Sequence, residues 1–238
     1  MTIPYRYLKS APLGQQLAQQ KRVAFLWKGL SILALVVGLV LISNAALPIL
    51  YYELTNSRFT QRLVSPLTSQ GIILGEGSAV DYSNPKSWFP DAPVVPPRPS
   101  KITHYNLSIP KLKIENATVQ IGGEDLMKSL IHYPGTALPG QYGNTVVFGH
   151  SVLPQFFNPK NYKSIFSTLP KLEENDEILV NFDGIQYRYV VRELFETGPE
   201  DVAILEQRSN SQWLSLITCV PPGTYLRRLI VRAQLVSL

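Results

Sequence analysis

Twenty-two consecutive residues, Gly29 to Leu50, carry no charged side chain and are mostly Leu, Ile, Val and Ala. An α-helix rises about 1.5 Å per residue, so such a run can cross a hydrocarbon core of roughly 30 Å. It is apolar on every face, unlike the amphipathic helix of a globular core. Lys21, Arg22 and Lys28 stand just before it. The positive-inside rule keeps that end cytoplasmic and sends the chain after residue 50 outward. Trp27 in front, with Tyr51 and Tyr52 behind, suit the two interfaces. A cleaved signal peptide is the other reading, because Ser43-Asn44-Ala45 offers small residues at cleavage spacing. The run is longer than the usual signal h-region of about 7–15 residues, which favours a retained anchor. Under either reading the rest of the protein lies beyond the membrane.

Charge is distributed accordingly. The chain carries +5 overall, with a pI near 9.2. Arg6, Lys9, Lys21, Arg22 and Lys28 account for that excess, and no acidic residue lies among them. The other 210 residues hold 17 basic and 17 acidic side chains. The basic excess is a tail before an anchor, not a phosphate-binding patch, so no nucleic-acid partner is expected. One cysteine excludes a disulfide framework and any multi-cysteine metal site.

Four regions follow: a basic tail 1–28, an anchor 29–50, a stalk 51–100 and a globular domain 101–238. The stalk contains a short apolar patch at 72–74 and six prolines between Asn84 and Ser100. Proline at that density favours extended spacer geometry. Trp88 and Phe89 are out of character for a spacer and either pack on the domain or make loose interfacial contacts. In the domain, short β-type runs alternate with Gly, Pro and Asn. Strands are predicted over 105–109, 117–121, 145–149, 177–182, 186–196, 213–219 and 228–236, and a short helix over 124–130. Asp183-Gly184 between two of the runs is a hairpin signal. Seven or so strands with one short helix read as a closed all-β barrel or a sandwich.

Cys219 ends the run Trp213-Leu214-Ser215-Leu216-Ile217-Thr218 and precedes Val220-Pro221-Pro222-Gly223. A lone cysteine is ordinarily a small buried hydrophobe. An unpaired thiol outside the cell, at a strand end before a stiff loop, is instead a candidate nucleophile. Such a thiol needs a cation to favour its thiolate and an acid to protonate the leaving group. His150, at a strand end between Gly149 and Ser151, suits the acid. His104 and His132 read as structural. Arg227 and Arg228 open the last strand, and whichever faces the thiol can hold a developing oxyanion.

These residues resemble the sortase family. Leu216-Ile217-Thr218-Cys219 with Arg228-Leu229-Ile230-Val231-Arg232 is similar to its active-site strands. Pro134-Gly135-Thr136, Pro139-Gly140, Gly143-Asn144 and Gly149-His150-Ser151 resemble the segment leading to its histidine, and Leu107-Ser108-Ile109-Pro110-Lys111-Leu112 its first strand. The resemblance covers about 101–238 in consistent order. It implies an eight-stranded β-barrel with one or two short helices behind an N-terminal transmembrane helix. It also implies a cysteine transpeptidase that cuts an LPxTG-like sorting signal and joins the threonine carbonyl to an amine.

By the same resemblance, the partners are surface proteins with a C-terminal sorting signal and an amine acceptor such as a cell-wall precursor or a pilin lysine. His150, Cys219 and Arg228 match the triad, with Arg227 as the fallback for the arginine. Thr218 matches a residue supporting substrate or oxyanion. Ile217 matches an apolar position under the Leu-Pro part of the signal. Val202, Ile204 and Leu205, in the loop between 196 and 212, are expected to form the specificity wall. Glu173, Glu174, Asp176 and Glu177 read as a solvated turn; some members use loop carboxylates for calcium, but no cofactor is expected here. Some pilin-polymerising members carry a lid with an Asp and an aromatic ring, and Trp88-Phe89-Pro90-Asp91 has those ingredients in another order. Hydrolysis by the same triad and a non-catalytic, peptide-binding barrel are the alternatives.

Overall fold

The computed structural model describes residues 13–55, 60–61, 81–92, 101–207 and 210–236. The patch at 72–74 and the prolines from Pro93 onward lie outside them. Helix α1 runs Leu13–Thr55, and its Phe25–Thr55 portion is long and apolar enough to cross a membrane. The chain divides into two compact units, 1–47 and 48–238.

The second unit is built on eight antiparallel and parallel strands that close on themselves. They are β2 (His104–Ile109), β3 (Ile114–Ile121), β4 (Leu130–His132), β5 (Gly143–Phe148), β6 (Glu177–Phe182), β7 (Ile185–Thr197), β8 (Gln212–Val220) and β9 (Arg227–Val236). Neighbours run β7-β6-β2-β3-β4-β5-β8-β9, and β9 pairs back onto β7, so no barrel edge is left open. A two-residue strand β1 (Thr60–Gln61) adds in parallel to β7. The closed all-β barrel expected from the sequence is therefore the fold found. Asp183 and Gly184, both at positive φ (53° and 74°), make the tight turn between β6 and β7.

The predicted helix over 124–130 is absent. Asp125 Oδ1 accepts from the Met127 amide at 2.9 Å, Leu126 donates its amide to the Ser83 carbonyl, and Leu130 enters β4. Seven residues barely repay helix nucleation, and an aspartate offers the backbone a competing local turn. Besides α1, the described helical segments are 3-10 turns of three or four residues.

Two apolar clusters form. The first takes side chains from all eight barrel strands, among them Leu107, Val119, Val147, Val180, Val191, Leu216 and Val231, and fills the barrel. Tyr52 joins it, and its hydroxyl donates to Glu196 Oε1 at 2.5 Å. The second lies on the opposite face of β5, β8 and β9 and contains Phe148, Ile217, Cys219 and Ile230. Trp88, Phe89 and Ile204 complete it from outside the sheet. Every residue of β5 is consequently buried, which explains why that strand reads as an unbroken run rather than an alternation. Trp88 and Phe89, 0% and 1% exposed, pack on the barrel rather than hanging in a spacer.

Candidate active site

The register of three strands brings the predicted residues together. In parallel pairing, Phe148 of β5 sits opposite Ile217 of β8, so His150 and Cys219, each two residues further on, reach the same level. In antiparallel pairing, Cys219 faces Arg228 of β9. Directly paired residues point to the same side of a sheet, so Arg228 shares the face of the thiol. Arg227 faces Val220 and turns its guanidinium to Glu196 Oε2 and Glu53 Oε1, both at 2.7 Å. Of the two arginines, the strand pairing puts Arg228 beside the thiol.

Hydrogen bonds lock the ends of these strands. Thr218 Oγ1 donates to the Gly149 carbonyl at 2.8 Å, Ser151 Oγ donates to the Cys219 carbonyl at 2.6 Å, and Gly149 N–H donates to the Ile217 carbonyl. The Thr218 hydroxyl therefore ties the histidine segment to the cysteine strand. Ser151, which the sequence marked only as a neighbour of His150, does the same from the other side. Any Cβ at position 149 would lie 2.4 Å from Phe166 and 2.7 Å from Leu130, so this junction needs glycine.

The site is covered. Pro85–Trp88 forms a 3-10 turn capped by Asn84, whose side chain accepts from the Lys86 amide. The Trp88 ring lies 5.9 Å from the His150 ring, and the Arg228 guanidinium lies 5.4 Å from the Trp88 ring and 5.9 Å from that of Phe89. Arg228 Nη2 donates to the Trp88 carbonyl at 3.1 Å, and Nη1 to the Tyr225 carbonyl at 3.0 Å. Tyr82 stacks on Tyr225 at 4.0 Å, and Lys86 pairs with Glu124 at 2.6 Å. Asp91 is exposed, whereas the aromatic pair is buried against the site.

Electrostatics follow from the cover. Burial pushes the Cys219 thiol up to about 12, against the pull of Arg228. Burial also holds His150 below its ordinary value, opposed by Asp125 and Asp81. Both groups are thus neutral at pH 7. His150 Nε2 and Arg228 Nε are buried with no partner among the described residues. Unsatisfied polar atoms are uncommon in native interiors, and these two lie on the residues level with and opposite the thiol.

A thiol in that state reacts slowly, because only the thiolate attacks. Alkylation of Cys219 by iodoacetamide is expected to run about 10³-fold slower at pH 8 than for a free cysteine of pKa near 8.5. Its rate is expected to keep rising past pH 10 instead of levelling near 9. Trp88→Gly, which opens the cover, should speed the reaction and lower the midpoint. Equal rates and equal midpoints in the two proteins would show that the cover does not shield the thiol in solution.

Of the remaining predicted residues, Ile217 is fully buried in the cluster that contains Cys219, and Ile204 is buried in it as well. Val202 and Leu205 line an apolar cleft of about 410 Å³, whose other wall is Tyr133–Thr136. His132 is buried, with Nδ1 at 3.1 Å from the Tyr105 hydroxyl and Nε2 at 3.0 Å from Thr136 Oγ1, which is a structural role. In the acidic turn, Lys111 reaches Glu173 and Asp176 at 2.6 and 2.9 Å, and Arg188 pairs with Glu177.

Comparison with known proteins agrees with this fold. Residues 107–236 match the family model described as Sortase domain. The chain is similar to a lid mutant of sortase A from Corynebacterium diphtheriae, with 30% identity and a TM-score of 0.50 over 59% of this chain and 74% of that one. It is similar to the pilus-related sortase C of Group B Streptococcus, with 25% identity and a TM-score of 0.50 over 58% and 70% of the two chains. Sortase C-1 from Actinomyces oris, at 24% identity and a TM-score of 0.51 over 58% and 77%, shares the fold. No curated protein sequence matches the chain.

Proposed function

Because this chain belongs to the sortase family and is an enzyme of the transpeptidase type, we propose that it cuts an LPxTG-like sorting signal through a Cys219 thioacyl intermediate. The threonine carbonyl then passes to an amine on a cell-wall precursor or a pilin. The observation that supports this most is the placement of the chain's one cysteine. It lies opposite a buried arginine and level with a histidine whose Nε2 has no described partner.

In the closed state Arg228 spends one donor on the Trp88 carbonyl. A substrate carbonyl is the same kind of acceptor, so a signal peptide that displaces the cover restores that bond. With the cover gone, the thiol regains solvent and keeps Arg228 beside it, and both changes favour its ionisation. The thiol proton passes to His150, and the thiolate attacks the scissile carbonyl. Arg228 holds the oxyanion. Collapse breaks the C–N bond, the His150 proton goes to the leaving amine, and a thioester remains. An incoming amine attacks it and loses its proton to His150, which returns it to the departing thiolate.

The proposal includes the anchored topology. A membrane-impermeant maleimide applied to intact cells is expected to label Cys219 in Trp88→Gly, the only thiol available; labelling that needs permeabilised cells would reverse the orientation.

The reaction is tested with full-length enzyme in detergent and a pentapeptide signal library, with and without glycine- or lysine-based amines, read by mass spectrometry. Amide product is expected to displace free acid as amine is added, since a neutral amine is a stronger nucleophile than water. Free acid as the sole product at saturating concentrations of several amines would replace the transpeptidase reading by hydrolysis. No cleavage of any peptide would favour a binding module.

A further inference from the structure

The segment between β7 and β8 is clasped at both ends. At its start, Asp201 is buried, accepts from Thr197 Oγ1 at 2.7 Å and caps the Val202–Leu205 turn through the Ala203 amide. At its end, the Gln207 amide uses all four of its bonding positions. Oε1 accepts from the Ala137 and Asn144 amides at 3.0 and 3.1 Å, and Nε2 donates to the Asn144 and Leu205 carbonyls, both at 3.0 Å. Two N–H donors on one side and two carbonyls on the other leave one orientation for this side chain.

Asn144 completes the arrangement. Its Nδ2 donates to the Ile204 carbonyl at 3.0 Å, and its Oδ1 accepts from the fully buried Ser215 hydroxyl at 2.8 Å. Asn144 lies four residues before Phe148 on the same face of β5, so the bond draws Ile204 onto the face that carries Cys219. Position 143 is built to admit the clasp. Gly143 has φ +126°, and a Cβ there would lie 2.9 Å from Gln207 Oε1 and 2.8 Å from Ala137 Cβ.

Gln207 therefore joins the two walls of the apolar cleft. Ala137 continues the Tyr133–Thr136 wall, Leu205 belongs to the opposite one, and one amide holds both. We propose that Gln207, braced by Asn144, is a positioning residue that sets the width of this cleft and thereby the enzyme's choice among apolar side chains of its peptide signal. The inference rests on the transpeptidase reading of the neighbouring site. Neither residue touches the reacting atoms. Their effect is on which peptide fits, not on the chemistry that follows.

The test uses full-length enzyme, a series of signal pentapeptides differing by one methylene at the first apolar position, and the variants Gln207→Leu and Gly143→Ala. A packed apolar pocket discriminates one methylene by ~10–200-fold. Gln207→Leu keeps comparable bulk and removes all four hydrogen bonds. It is expected to reduce that discrimination about tenfold through KM, with kcat for the preferred peptide within about threefold. Gly143→Ala, pressing on the same clasp, should act in the same direction. Gln207→Glu, which keeps the two bonds to the Ala137 and Asn144 amides, should fall between. An unchanged ranking of peptides, or an equal fall in kcat for all of them, overturns the proposal. If wild-type enzyme cleaves no peptide in the series, the transpeptidase reading fails and this inference with it. If wild type cleaves and ranks them as Gln207→Leu does, only the inference fails.

Discussion

Cys219→Ala is expected to leave no cleavage above a no-enzyme control, with the barrel still folded. The thiolate is the attacking atom in every step proposed, and the chain has no second thiol to substitute for it. The fold should survive because β8 is held by its pairing with β5 and β9 and by the Ser151 and Thr218 side chains, none of which involves the sulfur. Some stability is nonetheless lost. Cys219 is 1% exposed and packs within the cluster of Ile217, Phe148 and Ile230, so removing its sulfur leaves a small void. Voids of about one methyl group cost on the order of 1 kcal/mol. A modest fall in melting temperature together with zero turnover is the expected pair of results. Measurable cleavage by a folded alanine variant would end the cysteine mechanism.

Arg228→Lys and His150→Ala are each expected to reduce kcat/KM by factors of hundreds or more. Lysine keeps the charge beside the thiol but not the planar fork, and loss of one oxyanion donor typically costs about 10²–10³-fold. Loss of a general acid–base typically costs ~10²–10⁴-fold. Lysine is the more informative replacement for Arg228 than alanine. The guanidinium also holds the buried Trp88 carbonyl and the half-buried Tyr225 carbonyl, so alanine would strip both acceptors of their donor and loosen the cover along with the chemistry. Arg227→Ala provides the contrast. It breaks the ties to Glu196 and Glu53 on the other face of the strand, and should cost stability with little change in rate. Steady-state kinetics on folded variants decides the matter. A severe Arg227 effect with a mild Arg228 effect would contradict the role assigned from the β8–β9 register.

Individual residues show how far the sequence carried these conclusions. The bounds of β6 were legible as a short β-type run ending at Asp183-Gly184, and that turn from its need for positive φ at both positions. The three-residue β4 was invisible, because a period cannot be read from so short a run. The sequence pointed to Arg228 through a motif and left Arg227 open, and the cross-strand pairing was needed to place one of them opposite Cys219. Gln207 carries no local signal, and Asn144 enters only as part of the Gly143-Asn144 motif, with nothing to say what it holds. Their importance is that of residues 63 positions apart whose amides meet.

The apolar span, the one-sided basic tail and the all-β class follow from the sequence alone, since each depends on local composition or short-range period; Cys219 and His150 are singled out by the resemblance of their motifs to a known family. The closing of that site was decided by tertiary structure. Strand alternation specifies which side chains share a face, but not which face turns inward, and both faces of β5 are buried. Only closure of the barrel puts Cys219 outside its core. Only a segment some 130 residues away along the chain, Pro85 to Phe89, then covers it and pushes its thiol up to about 12. Desolvation depends on every atom packed around a group, and no window of sequence contains those neighbours.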